Sequence, residues 1–485
     1  MIGISRFVHT FILDDDHVAL YHSLRMKPVY LTKTEHKDFL DFMQNSKIDC
    51  LSDFPDSLVH IATELSDCKI LTKNSDTDDM VIKYFRSRLP EPTISGCYFI
   101  LSEQCNLACK YCFLGNNNSE KRKHFSLKNM SMETAEKAID FFVRQLEKNN
   151  NAVEPFIVFY GGEPLINFEV LDFIAERINE LRLSKSYFKN AKVSVVTNGL
   201  LLDEKKLKRL KELNVGIGIS IDGCTEESNA LRVDRADNPI FPDVLKILNM
   251  AKDNGIDVGL SVTINEETIK SKTKMLELIS KYNIKGFGFN ILMYEGTFNI
   301  SEDYYEKASQ FIIDMFVELR KIGVYEDRIM RKMQTIQKSF SAPQPHFSDC
   351  GATAGGQIVV VPDGSVGICH GCLWDKKYFV SSIDDDSFDA KTNPVFIEWS
   401  QLSPVNKEEC QDCSALGICG VGCPIQAMNA KEGNTIHSLD ERFCVHSKKT
   451  LDFIIRDLYR IISNQTPRYD KINHPRNRVS KGKST

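Results

Sequence analysis

The chain has 485 residues, 42% apolar and 26% charged, the composition of an ordinary globular protein with room for roughly three domains. A formal net charge of −5 excludes a global electrostatic attraction to nucleic acid or to an anionic membrane surface. No apolar run approaches the roughly 20 residues that span a bilayer, and the apolar patch near the N-terminus ends in Asp14-Asp15-Asp16, unlike a signal peptide, so a cytoplasmic protein without nucleic-acid or membrane partners is expected.

Fifteen cysteines are too many for an ordinary enzyme of a reducing compartment, and seven of them lie between Cys350 and Cys423, with Cys444 following. In a cytosolic setting such clustering points to metal rather than to disulfides. Residues 1–92 hold no cysteine pair at ligand spacing. Val18–Leu24 and Val29–Thr32 read as a hairpin, after which Thr32 or Thr34 can cap a helix with Phe39, Leu40 and Phe42 on one face. Further helix patterns cover 55–65 and 78–85. This hairpin with three small helices resembles the winged-helix peptide-recognition element of peptide-modifying systems; a plain structural cap on the next domain is the competing reading. Cys50 and Cys68 read as small buried hydrophobes.

From residue 95 to about 300, strand and helix patterns alternate. Strands are expected at 97–101, 156–160, 192–197, 215–221, 258–264 and 286–292. Ser131 is placed to cap the first intervening helix, whose stripe is Ala135, Ala138, Ile139, Phe142 and Leu146, and Asp203 to cap another that buries Leu207, Leu210 and Leu213. Six such repeats imply a parallel sheet whose right-handed crossovers curl it toward a barrel, with functional residues at the C-terminal strand ends.

Directly after the first strand stands Cys105-Asn-Leu-Ala-Cys109-Lys-Tyr-Cys112-Phe113. Three thiolates at C-x3-C-x2-C can hold three irons of a [4Fe–4S] cluster and leave the fourth open to a ligand. A zinc knuckle would want four ligands, commonly in C-x2-C pairs. The second strand ends in Gly161-Gly162-Glu163-Pro164, where two glycines let a backbone approach a ligand and Glu163 can accept from an ammonium. Loop and motif together resemble the radical S-adenosylmethionine (radical SAM) enzymes, in whose partial (β/α)6 barrel the open iron is chelated by SAM and a GGEP motif holds the SAM amino group. The resemblance implies that Ser220 and Arg232 meet the SAM carboxylate and that Asn198 and Asp222 contact the ribose or simply end their strands. For Arg232 a surface ion pair with Asp234 or Asp237 is the alternative. Cys224 has no ligand-spaced neighbour.

Residues 302–341 read as a helical link whose apolar face includes Phe311, Ile312, Met315, Phe316 and Leu319. Beyond them, Cys350 is followed by a hairpin around Pro362-Asp363-Gly364, then Cys369, His370 and Cys372, and then Cys410-x2-Cys413-x5-Cys419-x3-Cys423 and Cys444. This run is similar to the SPASM extension of radical SAM enzymes. It implies two auxiliary [4Fe–4S] clusters, the first on Cys350, Cys369 and Cys423 with Cys372 or an open iron as the fourth position, the second on Cys410, Cys413, Cys419 and Cys444. His370 stands where sulfatase-maturating relatives carry an aspartate proposed as catalytic base; a histidine can also move a proton. The tail 468–485 is basic and lacks apolar periodicity.

The expected fold is therefore α/β: a winged-helix-like α+β module (1–92), a radical SAM partial barrel (93–300), a helical linker (301–345), a cysteine-rich SPASM iron–sulfur domain (346–450) and a C-terminal helix with a basic tail (451–485). The resemblance implies three [4Fe–4S] clusters, reductive cleavage of SAM to a 5′-deoxyadenosyl radical, and hydrogen abstraction from a substrate. The expected substrate is a ribosomally made precursor peptide, its leader bound by the N-terminal module, that receives a thioether or carbon–carbon cross-link, with a flavodoxin or ferredoxin as reductant. A sulfatase-type side-chain maturase and, from another class, an iron–sulfur electron carrier are the alternatives.

Overall fold

A computed structural model of the chain describes residues 1–73, 76–112, 114, 127–149, 153–292 and 300–463. Phe113 and the basic tail lie outside the described residues.

The first 86 residues form β1 (Gly3–Ile4), β2 (Val8–Ile12), β3 (His17–His22), β4 (Lys27–Thr32), α1 (Lys33–Asn45), α2 (Asp56–Asp67), β5 (Leu71–Thr72) and α3 (Asp76–Arg86). The expected hairpin is β3–β4, with Val18 opposite Leu31 and Leu20 opposite Val29. A third strand, β2, pairs on its other side; its residues are only half-buried or exposed, so the sequence offered little apolar alternation there. Thr32 begins α1 with a full capping box: its hydroxyl accepts from the Glu35 amide at 3.1 Å, and Glu35 Oε2 accepts from the Thr32 amide at 2.8 Å. Cys50 is a correction. It is exposed, not buried, because it opens a short turn in which its sulfur bonds Ser52 and Asp53.

β3 is buried on both faces, and its alternation sends side chains to two different cores. Val18 and Leu20 pack inside the module with Val29, Leu31 and Phe39. Ala19 and Tyr21 pack outward with Met26 against Ile336, Ala415, Ile418, Leu451 and Ile455. Hydrogen bonds follow the same seam, from Tyr30 Oη to the Ile455 carbonyl (3.0 Å), from Arg456 to the Leu13 carbonyl (2.9 Å) and from Ser339 Oγ to the Met26 carbonyl (3.0 Å). The module thus seats on the cysteine-rich segment and the last helix.

The central unit runs β6 (Gly96–Ser102), α4 (Met132–Lys148), β7 (Phe156–Gly161), α5 (Phe168–Ser184), β8 (Lys192–Thr197), α6 (Glu204–Glu212), β9 (Gly216–Ile221), α7 (Phe241–Asp253), β10 (Val258–Ile264), α8 (Glu266–Lys270), α9 (Lys272–Lys281) and β11 (Phe287–Ile291). Ser131 and Asp203 cap α4 and α6 as expected. Strands β6 to β11 are parallel and neighbour one another in sequence order. Each places its C-terminal end on the same rim, which is what a right-handed succession of crossovers produces.

After the parallel strands come α10 (Tyr304–Arg320), α11 (Asp327–Ser339), β12 (Gln357–Val360), β13 (Ser365–Gly367), β14 (Phe379–Ser382), α12 (Pro394–Ser400), α13 (Pro424–Ala430) and α14 (Glu441–Ile462). β12 pairs parallel to β6, and β13 and β14 extend the same sheet antiparallel, giving the order β11-β10-β9-β8-β7-β6-β12-β13-β14. The sheet therefore runs on past residue 346, joining the cysteine-rich hairpin to the parallel strands. α10 is fastened to α14 by a buried pair in which both terminal nitrogens of Arg320 donate to Asp457 at 2.7 and 2.8 Å. Among the described residues, no helix is long and apolar enough to cross a membrane.

Candidate active site

The C-x3-C-x2-C loop leaves the end of β6 and is held from two sides. On one side Gly162 N donates to the Ser102 carbonyl and Glu163 N to the Gln104 carbonyl, both at 2.8 Å. On the other, the segment after β9 runs against it, with Ala108 N bonding the Val233 carbonyl, Lys110 N the Leu231 carbonyl and Arg235 the Cys105 carbonyl. This changes the reason for the two glycines. A Cβ at Gly161 would meet the Ser102 carbonyl oxygen at 2.3 Å, and one at Gly162 the Gln104 carbonyl oxygen at 2.2 Å, so the chain itself requires glycine there.

Glu163 is fully buried and lines the cavity beyond the loop. Its Oε1 accepts from Leu165 N (3.0 Å) and Thr197 Oγ1 (2.6 Å), and its Oε2 from Asn198 N (2.9 Å). Burial raises its proton affinity and these donors oppose it. A carboxylate offers about four lone-pair sites, so it can still accept from a ligand cation. Asn198 also lines the cavity and donates to Asn106 Oδ1 at 2.8 Å. Ser220 faces the same cavity, as do Ser261, Thr263 and Asn290 on the next strand ends; Pro164 and Asp222 do not.

Arg232 does form an ion pair, but with neither Asp234 nor Asp237. Its Nε and Nη2 donate to Asp222 Oδ1 at 3.1 and 2.9 Å, and Nη2 also donates to Tyr111 Oη at 2.5 Å. Tyr111, inside the cysteine loop, in turn donates to Asp222. Burial raises the proton affinity of Asp222 against the pull of the guanidinium, and its Oδ2 has no donor among the described residues. Arg232 remains a cavity residue, with Nη1 outside these bonds.

One cavity of about 820 Å³ joins this rim to the cysteine-rich segment. Cys105, Cys109 and Cys112 line one end, and Cys350, Cys369 and Cys423 the other. Cys350 is exposed only in the sense that it faces this space. Between the two ends His370 stacks on Tyr98 (ring centroids 4.9 Å apart) and leans on Tyr160 (4.8 Å); burial pushes its imidazole down to about 4, so it is neutral. Arg328, Arg331 and Asp349 complete the wall; the Asp349 carboxylate is held far below the usual carboxylate range by Lys332, His346, Arg328 and Arg331, against its own burial.

The thiols of the cysteine-rich segment lie in two groups. Cys369 interacts electrostatically with Cys350 and Cys423, and a hydrogen bond with Cys372, before burial, raises its own thiol pKa. Cys372 is buried in the apolar core and does not reach the cavity. Cys410, Cys413, Cys419 and Cys444 interact with one another. Sequence neighbours Cys419 and Cys423 reach different sets because the chain between them reverses through three left-handed residues, Gly420, Val421 and Gly422 (φ 72, 71 and 78°). A β-branched residue there carries strain, which the flanking packing sustains.

Cys224 stands apart from all three sets, its sulfur bonded to the Ser271 carbonyl. Among the described residues, no three His, Cys, Asp or Glu side chains are arranged to hold a single metal ion; in a cluster each iron takes its own thiolate, so the ligands stand further apart. Burial and like neighbours push Cys105, Cys410, Cys423 and Cys444 up to about 12 and Cys109 to about 11. A metal or cluster bound there would have to displace those protons. The donor sets fit iron–sulfur clusters.

The sequence model of the radical SAM superfamily matches residues 99–279, from β6 through α9. The radical SAM cyclopropyl synthase TigE of Paramaledivibacter caminithermalis is 24% identical, covering 91% of this chain and 93% of its own. A cysteine-type anaerobic sulfatase-maturating enzyme of Clostridium perfringens is 28% identical, covering 75% of this chain and 96% of its own. The crystal structure of Streptococcus suis SuiB bound to precursor peptide SuiA shares the fold at TM-score 0.51 and 14% identity, over 92% of this chain and 100% of that one. The superfamily implies a [4Fe–4S] cluster and SAM, and its enzymes set aside the electron-carrier alternative. With the cysteine loop, the GGEP turn and the parallel strand ends in this arrangement, residues 99–279 form a radical SAM domain, and the chain that carries it is an enzyme.

Proposed function

We propose that this enzyme modifies a ribosomally made precursor peptide, installing a thioether or carbon–carbon cross-link, and that it carries two auxiliary [4Fe–4S] clusters beside the SAM-binding one. The observation that carries the reading is the single cavity with a three-cysteine set at each end and polar strand ends between them. Cys105, Cys109 and Cys112 hold the SAM-binding cluster; Cys350, Cys369 and Cys423, with Cys372 adjacent, hold the first auxiliary cluster, and Cys410, Cys413, Cys419 and Cys444 the second. When bound, these groups and SAM supply the one-electron chemistry: SAM is cleaved reductively, a hydrogen atom is taken from an unactivated carbon, and an electron is taken back as the product bond closes.

The chain's own residues bind and orient. Glu163 and the Gly161–Gly162 backbone receive the SAM ammonium, and Ser220 with the free face of Arg232 receives its carboxylate. Asn198 fixes the loop through Asn106 beside the ribose. His370, neutral between two tyrosines, takes the proton that the substrate loses. The walls of the cavity keep water from the reacting carbon. A peptide substrate is supported by the likeness to SuiB, whose structure with its precursor peptide spans this chain's N-terminal module, and by the unpaired edge of β2, to which a strand can add. Sulfatase-type side-chain maturation is the second reading, favoured by the 28% identity to a sulfatase-maturating enzyme.

The test is anaerobic incubation of the reconstituted, reduced enzyme with SAM and the short peptides encoded beside its gene. Loss of two hydrogens from a peptide at a cross-link located by fragmentation supports the reading. Turnover on a sulfatase peptide alone would replace it with the second.

A further inference from the structure

The two cysteine sets beyond the barrel differ in the charges packed around them. Near Cys350, Cys369 and Cys423, the buried cations come with buried carboxylates. Arg442 pairs with Asp440 at 2.8 Å, and Asp440 also accepts from the Cys423 amide. Lys332, fully buried, faces Asp349 while its Nζ donates to the Ile418 and Cys419 carbonyls. Arg328 and Arg331 also face Asp349, while Lys332 and Asp440 border the second set as well, at the Cys419 carbonyl and near Cys444.

The second set holds a cation without such a partner. Lys407 lies three residues before Cys410, only 7% exposed. The Cys410 amide donates to its carbonyl at 3.2 Å, which fixes its stem beside the cysteine turn. Its ammonium donates to the His437 carbonyl, a neutral acceptor. The acidic groups within its electrostatic reach are the thiols of Cys410, Cys419 and Cys444 and the carboxylate of exposed Glu409. A buried ammonium is costly unless a counter-charge faces it, and here the buried candidates are thiolates. Lys448, also near Cys413 and Cys444, is exposed and screened by solvent.

We propose that Lys407 is a positioning residue that raises the reduction potential of the cluster on Cys410, Cys413, Cys419 and Cys444. The inference rests on the reading that these four cysteines hold a cluster. Reduction adds a negative charge to an already anionic four-thiolate cluster, and a fixed ammonium beside it stabilises the reduced form more than the oxidised one.

The experiment is an anaerobic redox titration of the reconstituted full-length enzyme followed by electron paramagnetic resonance, with iron counted on each sample. The second cluster's signal is identified as the one missing from Cys413→Ala. Lys407→Met is expected to keep its iron and to move that one midpoint to lower potential, Lys407→Arg to leave it near wild type, and Lys448→Met to leave it unchanged. If Lys407→Met loses iron, Lys407→Gln, which keeps a donor to the His437 carbonyl without the charge, decides in its place and is expected to lower the same midpoint. A full iron complement with an unmoved midpoint, or an equal shift in Lys448→Met, overturns the role of Lys407 alone. Cys413→Ala with undiminished iron overturns the four-cysteine cluster and the inference with it.

Discussion

Gly162→Ala should disable the SAM site through the cluster loop rather than through any lost contact with SAM. The added methyl would lie 2.2 Å from the Gln104 carbonyl oxygen, 2.6 Å from its carbon and 2.9 Å from the Glu103 carbonyl oxygen. Unbonded carbon and oxygen rest a little over 3 Å apart, so the two backbones must separate by about 1 Å. All three opposing atoms are backbone, so no side chain can swing away. The bond from Glu163 N to the Gln104 carbonyl lies on the same seam and would stretch out of range. Overpacking of this kind costs about 1–3 kcal/mol. The residue after Gln104 is Cys105, so the displacement reaches the first thiol directly. Reconstituted Gly162→Ala should therefore show weaker SAM binding by equilibrium titration, iron missing from the SAM-binding cluster and a lower unfolding midpoint. Gly286→Ala, where a Cβ meets nothing within 4 Å, should match wild type within about 0.5 kcal/mol. A Gly162→Ala enzyme with wild-type iron, SAM affinity and stability would refute the packing argument and return the glycines to a purely ligand-facing role.

Arg232→Met leaves the fully buried Asp222 carboxylate without its cation and should destabilise the fold by about 3–5 kcal/mol in denaturant titration, with Asp222→Asn added to it recovering part of the loss; a loss below about 1 kcal/mol would contradict the pairing. Asp457→Ala should cost a similar amount by removing the buried carboxylate that Arg320 faces between α10 and α14, whereas exposed Lys321→Ala, just after α10, should be nearly silent. His22 gives a pH signature: burial pushes it down to about 3, Nδ1 accepts from the Leu24 and Arg25 amides, and Ser5 (bonded to Asp78), Arg25 and His9 face it. The unfolded chain binds the proton first, so stability is complete above about pH 6.5 and falls as pH drops toward 3, by up to about 1.4 kcal/mol per unit. Removing the imidazole with His22→Gln should reduce the slope in unfolding measured between pH 7 and 5 by this share, leaving that of buried His370 and His446; an unchanged slope would assign it elsewhere.

The sequence was most legible where local pattern and tertiary role agree. Lys192–Thr197 and Val258–Ile264 were read with their observed limits because one face of each is buried and alternation marks it. Thr32, Ser131 and Asp203 announced their helices through capping chemistry that needs no tertiary partner. What escaped reading depends on segments far apart in the chain. Nothing local says that Gln357–Val360 pairs with β6, more than 250 residues earlier in the chain, or that β3 turns one face toward α14. The ion-pair alternative for Arg232 rested on Asp234 and Asp237, its neighbours in sequence, yet a loop folds it back onto Asp222 and Tyr111. Lys332 and Lys407 look like surface lysines in the sequence; only the fold shows them buried beside cysteines. The seating of the N-terminal module also changes how its role can be tested. Deleting residues 1–92 would bare Ile336, Ala415 and Leu451 and loosen the second cysteine set, so point changes along β2 are the cleaner probe of peptide binding.

The measurement that tests the account most directly is an anaerobic iron count on the reconstituted chain, combined with an assay for 5′-deoxyadenosine after addition of SAM and dithionite. The account predicts about twelve irons per chain with deoxyadenosine formed. About four irons with turnover would contradict the auxiliary clusters, and iron without cleavage of SAM, even with candidate peptides present, would contradict the chemistry itself.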